Sequence, residues 1–568
     1  MLKTSWMFRA ALIAVLAFAG TASTPRADRN PDPPFDLLII NGKILDGTGS
    51  PWSGGSIGIR DGKIAEMGQL PGATAKQIID ARGLIVAPGF IDLHSHSDLT
   101  LLVDGEAQSK IRQGVTTEIL GESGSVAPVL GPAAEGFDHG LQPMGIQRDW
   151  KTLGEYYARV KRQGISVNIA SYVGSGQVRF CVMGNYNRPP STGELGQMRE
   201  LVEKAMQDGA IGVSSGLVYP PNSYAKTDEI VELAKIAAKH GGIYATHIRS
   251  ESDLSMAAID EAIEISERAG LPVHIFHFKK YGRKNWGRMQ EQVDRIQAAR
   301  DRGVDITADQ YPYIAAMTGL EMCIPPKFME GTAKDFVARL KDPQVRAEIR
   351  KNIAEGLPDW GDNEVMSVGG WHGVLVAALQ KPQNKKYEGM RMDEVAKLMG
   401  KDPVDALCDL LISEGGAADA VYFGMSEEDV RLAMKQPWAG VGSDGIAVTP
   451  AMTFMGKPHP RFYGSFPRVL GYYVREQKVL TLPDAVRKMT SFSAQLNGLT
   501  DRGILRPGMA ADIAIFNPDT ITDKATFEDP NQYSEGLEYV IVNGTVVLKQ
   551  GEHTGARPGQ ILFGRGKR

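Results

Sequence analysis

The sequence predicts an α/β protein: a core of parallel βα units, with a small β-sandwich made by both chain ends. Three observations predict it. The middle of the chain alternates apolar, strand-like runs with amphipathic helical stretches at about 30-residue spacing. The two ends share another texture, short Ile-rich alternating runs broken by Asn-Gly, Asp-Gly and Arg-Gly turns. Histidines and an aspartate stand at the ends of the central runs. Spacing alone fits a doubly wound sheet as well as a (β/α)8 barrel, and this convergence of polar side chains at strand ends favours the barrel.

The elements follow in chain order. Residues 1–23, MLKTSWMFRAALIAVLAFAGTAS, have basic Lys3 and Arg9, an apolar core from Ala10 to Ala19, and small residues Thr21, Ala22 and Ser23. That is the layout of a secretory signal peptide, so a periplasmic or secreted protein is expected, free of the membrane once the segment is removed. Residues 24–35, with Pro31, Pro33 and Pro34, read as a linker. The sandwich is expected from 36–86 (DLLIINGKILDGTG, GGSIGIRDGKIAEMG, QIIDARGLIVAPGF) and 500–560 (GMAADIAIFNP, YVIVNGTVVLKQGE). The barrel is expected over 87–499, its strands including VNIASYVG, AIGVSSGL, GIYATHI, PVHIFHF, VDITADQYPY and AGVGSDG. Ile230, Leu233 and Ala237 share one helical face, and Met256, Ile259 and Ile263 another. About 125 residues separate the last two strands, and a connection of that length is usually functional or an inserted unit. Residues 314–438 are read as an insertion covering the active site.

Composition narrows the class. Hydrophobic residues are 42% and charged residues 23%, which excludes a disordered or collagen-like chain. A net charge of −4 gives no electrostatic reason to expect nucleic acid. The three cysteines, Cys181, Cys323 and Cys408, are widely spaced and odd in number, so they read as core thiols rather than a disulfide or zinc framework.

The chemistry lies in the strand ends. His94 and His96 are two apart on a strand and so face one side. His247, His277 and Asp444 stand at the ends of three further runs. Together these are five metal-competent side chains, and neutral imidazoles with a carboxylate suit zinc or another borderline divalent ion. His274, three residues before His277, is expected to face the opposite way, outward beneath a helix. His139, His240, His372, His459 and His553 lie outside the pattern and read as structural. Lys279, two residues past His277, is expected to point into the same site, where its charge suits a carboxylate.

PGFIDLHSHSD, ATHIRSES, IFHFK, DQYPY, GVGSDG and HPRFYGSFPRVLGYYVRE resemble the amidohydrolase superfamily, and in particular its N-acyl-D-amino-acid deacylase (D-aminoacylase) branch, from about residue 37 to 560. The resemblance implies a distorted (β/α)8 TIM barrel with a sandwich from both chain ends, an insertion after the seventh strand, and one or two zinc ions. It implies hydrolysis of the amide of a small-molecule N-acyl-D-amino acid, the D configuration resting on the resemblance alone. It supports Lys279 as a carboxylate ligand, with Tyr219 and Tyr311 or Tyr313 as carboxylate-binding hydroxyls. Arg468 and Arg249 are further candidates, each read more readily as a structural ion pair. Asp444 is the expected catalytic group, taking a proton from water and returning it to the departing amine.

This chain departs from the family pattern twice. Where the family has G-N-C-G with a ligating cysteine, it reads GESGSVAP: counted from Gly121, Ser123 replaces the cysteine, and counted back from Pro128, Glu122 does. Ligand chemistry favours Glu122. In VGSGQ, Ser175 replaces a histidine. The alternatives are a cyclic-amide (dihydropyrimidinase-like) or dipeptide hydrolase of the same superfamily, and a metal-retaining homologue without catalysis.

Overall fold

The computed structural model describes residues 34–358 and 360–567, so the segment expected to be a signal peptide and nearly all of the expected linker lie outside the described residues. Eight barrel strands follow in chain order: Phe90–Asp92, Val115–Leu120, Asn168–Ser171 continuing as Val173–Gly174, Gly212–Gly216, Ile243–His247, Val273–Ile275, Ile306–Gln310 and Ala439–Val441. Each pairs in parallel with its neighbour. The first and last are joined just beyond their ends, where Asp444 N donates to His94 O at 2.7 Å, His96 N to Gly445 O at 2.9 Å, and Ser95 bridges Gly445 in parallel. The result is a distorted (β/α)8 barrel.

Local sequence explains the surrounding helices. Thr152 with Glu155, and Ser191 with Glu194, form capping boxes that start the helices Leu153–Gln163 and Thr192–Asp208. On Thr227–Lys239 the face holding Ile230, Leu233 and Ala237 is buried. On Ser255–Ala269 the buried face is Ala258, Ile259, Ala262 and Ile263, with Met256 only half-buried. Inside the barrel, Ile91, Ile119, Ala170, Tyr172, Ala245 and Phe276 form one apolar cluster. The three cysteines are free and buried. Among the described residues no helix is long and apolar enough to cross a membrane.

Both chain ends meet in one nine-stranded sheet, in which Ile85–Pro88 pairs antiparallel with Ile513–Phe516. Asp512 ties it to the barrel, accepting from Asn168 Nδ2 at 3.0 Å and Asn543 N at 2.7 Å. The chain then passes under the barrel, where Leu562 N donates to Ile169 O at 2.8 Å and Gly564 N to Gly209 O at 3.0 Å. After the seventh strand comes a unit with its own apolar cluster and a three-stranded antiparallel sheet of Ala316–Gly319, Asp419–Tyr422 and Val374–Ala378. The helix Glu427–Met434, within the expected insertion, packs instead on the barrel helix Met289–Asp301 and the eighth strand. The separate unit therefore ends before it.

A fully buried lysine braces the seam between first and last strands. Lys110 Nζ donates to Asp92 Oδ2 at 2.7 Å, Ser443 Oγ at 2.8 Å and Gly445 O at 3.2 Å, with Glu118 at 3.5 Å. Breaking a buried pair strands its partner's charge, at about 3–5 kcal/mol. Lys110→Met is expected to lower Tm sharply in thermal unfolding, and a wild-type Tm would contradict this bracing role.

Candidate active site

The metal-competent residues sit just past their strands. The first strand stops at Asp92, and the cross-seam bonds hold the next few residues so that the His94 and His96 rings lie 5.0 Å apart on one side. Glu122 follows the second strand, and His247 ends the fifth. His277 and Asp444 have φ of +37° and +49°, conformations that side chains adopt only when their surroundings impose them. Just before Asp444 the chain runs close against its neighbours: a Cβ at Gly442 would stand 2.6 Å from Asp309 Oδ1 and 2.8 Å from His94 Cβ.

The left-handed turn at His277 overturns the outward placement of His274. The sixth strand ends at Ile275, so its alternation does not reach His277, and both imidazoles turn inward. His274 is buried beneath the centre, with Nδ1 on Thr307 Oγ1 and Nε2 on Asp309 Oδ2, both at 2.9 Å. Asp309 also accepts from His277 N at 2.9 Å.

Two groups of ligand atoms result, each within 4.8 Å: His94, His96, Glu122 and Asp444, and Glu122, His247 and His277. Glu122 belongs to both. Its Oε2 is 2.6 Å from His94 Nε2 and 3.3 Å from His96 Nε2, and its Oε1 is 3.3 Å from His247 Nδ1. Ser123 instead turns its hydroxyl to Asn222 Oδ1. Glu122 Oε1 and His247 Nδ1, 3.3 Å apart, are buried without a hydrogen-bond partner among the described residues. Imidazole nitrogens and carboxylate oxygens left facing one another in this way fit a divalent ion such as zinc.

Electrostatics agree with that fit. Burial alone would lower the His94 and His96 pKa values, but the Asp444 and Glu122 carboxylates raise them, to about 10 and about 9. Glu122 and Asp444 are held well below the carboxylate range against the effect of burial, Glu122 chiefly by His94 and Asp444 chiefly by Arg461. Protons on the two imidazoles balance these carboxylates, and a divalent cation would take over that balance by displacing them.

The expected substrate ligands divide. Lys279 reaches the site, but its Nζ lies 2.6 Å from Glu251 Oε1 and 2.7 Å from His277 Nδ1, so its charge is already matched. Tyr219 lines the main cavity and its Oη accepts from Thr318 Oγ1 at 3.2 Å. Tyr311 lines a small recess of about 30 Å³, room for one water, and its hydroxyl has no partner among the described residues. Tyr313 and Arg468 stand apart from both: Arg468 binds Asp523 and Pro312 O and lies over the Tyr313 ring, a structural cluster. Arg249 is likewise structural, held in a two-pronged pair by Glu261. Ser175 Oγ bonds Asn222 Oδ1 at 3.0 Å.

Sequence reasoning missed Arg461. It is buried, its Nη1 lies 2.8 Å from Asp444 Oδ2, and its guanidinium covers the Tyr311 ring at 4.8 Å. His459 positions it, accepting from Arg461 N at 3.0 Å through Nδ1 and donating to Ala315 O at 2.9 Å through Nε2. The signal was present in HPRFYGSFPR, whose first histidine and arginine act as a pair. The main cavity, about 510 Å³, is lined by His96, Glu122, His277, Asp444 and Arg461 on the barrel side, and by Met317, Thr318, Gly319 and Asp419 on the insertion side. That size suits a small molecule.

Metal analysis tests the shared carboxylate. Zinc-loaded protein is expected to hold up to two ions per chain by elemental analysis. Glu122→Ala should lower that number, and Ser123→Ala should not; the reverse pattern would reassign the ligand.

The profile of the amidohydrolase family matches residues 77–548. A D-aminoacylase of Alcaligenes xylosoxydans xylosoxydans is 35% identical over 530 residues, covering 93% of this chain and 98% of that protein. An N-acyl-D-aspartate deacylase of the same organism is 35% identical over 544 residues, covering 93% and 95%. The crystal structure of an N-acyl-D-glutamate deacylase from Bordetella bronchiseptica, complexed with zinc and a phosphonate mimic of the tetrahedral intermediate, superposes with a TM-score of 0.79 at 33% identity, covering 93% of this chain and all of that one. With these likenesses running along nearly its whole described length, the chain belongs to the amidohydrolase family.

Proposed function

We propose that the protein is a zinc-dependent hydrolase that splits N-acyl-D-amino acids into a carboxylate and a free D-amino acid. With the leader read in residues 1–23, it acts in the periplasm or outside the cell. The observation that carries the reading is Asp444, set between the metal-competent His96, 3.1 Å away, and the buried Arg461 at the floor of a small-molecule cavity. Amide hydrolysis and the D configuration come from the activities named for the relatives.

His94, His96 and Asp444, and Glu122 with His247 and His277, would hold the zinc, whose chemistry there is Lewis acidity toward an amide carbonyl and a water. Asp444 moves the proton. Arg461 keeps it ionised, ready to accept from the attacking water. It then returns the proton to the departing nitrogen, which would otherwise leave as a poor amide anion. For the substrate carboxylate the partner is Arg461, which lines the main cavity and would share its guanidinium between that group and Asp444, with Tyr311 beneath the guanidinium supporting it from the adjoining recess. Lys279, matched by Glu251, holds His277 in place instead.

The decisive test is chiral. Zinc-loaded protein incubated with N-acetyl-DL-amino acids should release D-amino acids alone; release of neither enantiomer by metal-loaded protein would overturn the reading. Asp444→Asn, compared at equal zinc occupancy, should lower kcat by at least about 100-fold.

A further inference from the structure

Asp419 takes no part in the chemistry above. It opens the middle strand of the insertion sheet, opposite Gly319, and lines the cavity wall that faces the metal-competent residues. Elsewhere in the cavity every charge has a partner. Arg461 pairs with Asp444 at 2.8 Å and Glu122 lies among four imidazoles, and in the adjoining recess Lys279 pairs with Glu251 at 2.6 Å. Asp419 has neither a hydrogen bond nor an ion pair through its carboxylate among the described residues. Burial pushes its pKa up to about 6, with no cation near enough to oppose that, and its acidic neighbour Glu321 is pushed up to about 7. Around it the wall is apolar or neutral: Met317, Thr318, Gly319 and Met455.

We infer that Asp419 is a specificity-determining residue that receives a cationic group, an ammonium or guanidinium, at the end of one arm of the substrate. The inference rests on the deacylase reading and deepens it. An unpaired carboxylate half-removed from water gains most from a ligand that brings the missing charge. The same wall offers no free cation to an acidic arm, so N-acyl-D-glutamate and N-acyl-D-aspartate leave two like charges facing each other. Arg461 takes the α-carboxylate, which leaves two arms that can reach Asp419: the amino-acid side chain and the acyl chain.

Paired substrates separate the two. N-acetyl-D-lysine against N-acetyl-D-norleucine places the charge on the side chain; 6-aminohexanoyl-D-leucine against hexanoyl-D-leucine places it on the acyl chain. Wild type is expected to prefer the charged member of one pair by at least tenfold in kcat/KM. Asp419→Asn should collapse that ratio towards unity, and Asp419→Lys should invert it and raise kcat/KM for N-acetyl-D-glutamate relative to N-acetyl-D-norleucine. Turnover of all four substrates with no preference in wild type, or ratios unchanged in Asp419→Asn, would overturn the role of Asp419 and leave the deacylase reading standing. No turnover of any of them by zinc-loaded wild type would overturn the deacylase reading itself.

Discussion

Asp444 N donates to His94 O at 2.7 Å, across the seam where the first barrel strand meets the last. That contact and its neighbours close the barrel, and they also bring His94, His96 and Asp444 within ligand distance of one another. Closure and site assembly are thus one event. The seam is short, because the first and eighth strands have only three residues each. It therefore depends on side chains below it, with Asp92 accepting from Ser443 N at 2.7 Å and Lys110 filling the space between. A parallel barrel whose ends were held by backbone pairing alone would leave these loops free to drift. Here the loops are the fastening.

Above the seam, the protein buries an unusual number of charges and arranges them in matched sets. Glu122 faces the four imidazoles of His94, His96, His247 and His277, Asp309 serves His274 and the His277 backbone, Glu251 serves Lys279 and His277, and Asp444 serves His96 and Arg461. Each set fixes the orientation of a ring or carboxylate that would otherwise have several rotamers. The strained φ values of His277 and Asp444 are sustained by this over-determination, since the backbone alone would relax to ordinary strand geometry.

Much of this was legible in the sequence, and the limits of legibility have physical causes. Strand and helix periodicity located the barrel core, and turn dipeptides located the terminal strands. His94, His96, His247, His277 and Asp444 converge because parallel strands deliver their ends to one place, which spacing encodes. The preference of zinc for carboxylate over hydroxyl separated Glu122 from Ser123. His274 was misplaced because a period of two holds only while the backbone stays extended, and it ceases at Ile275. Arg461, Glu251 and Asp309 escaped notice because their roles are set by partners distant in the chain, Asp444 and Tyr311 among them. Tyr313 and Arg468 show the converse: they belong to distinctive motifs, yet pack on each other rather than on the cavity.

The terminal sheet has a consequence for how the molecule comes into being. Ile85–Pro88 finds its partner only when Ile513–Phe516 exists, and the underside of the barrel is finished by residues around Leu562. The ribosome delivers the chain from its beginning, so the earliest strands wait through most of synthesis with an unpaired edge, the feature most prone to cross-association. The long span between partners also makes their meeting slow. Quality control is then built into the topology: a polypeptide cut short anywhere before Ile513 keeps an open edge, and one cut before Asp444 lacks the last piece of its centre as well.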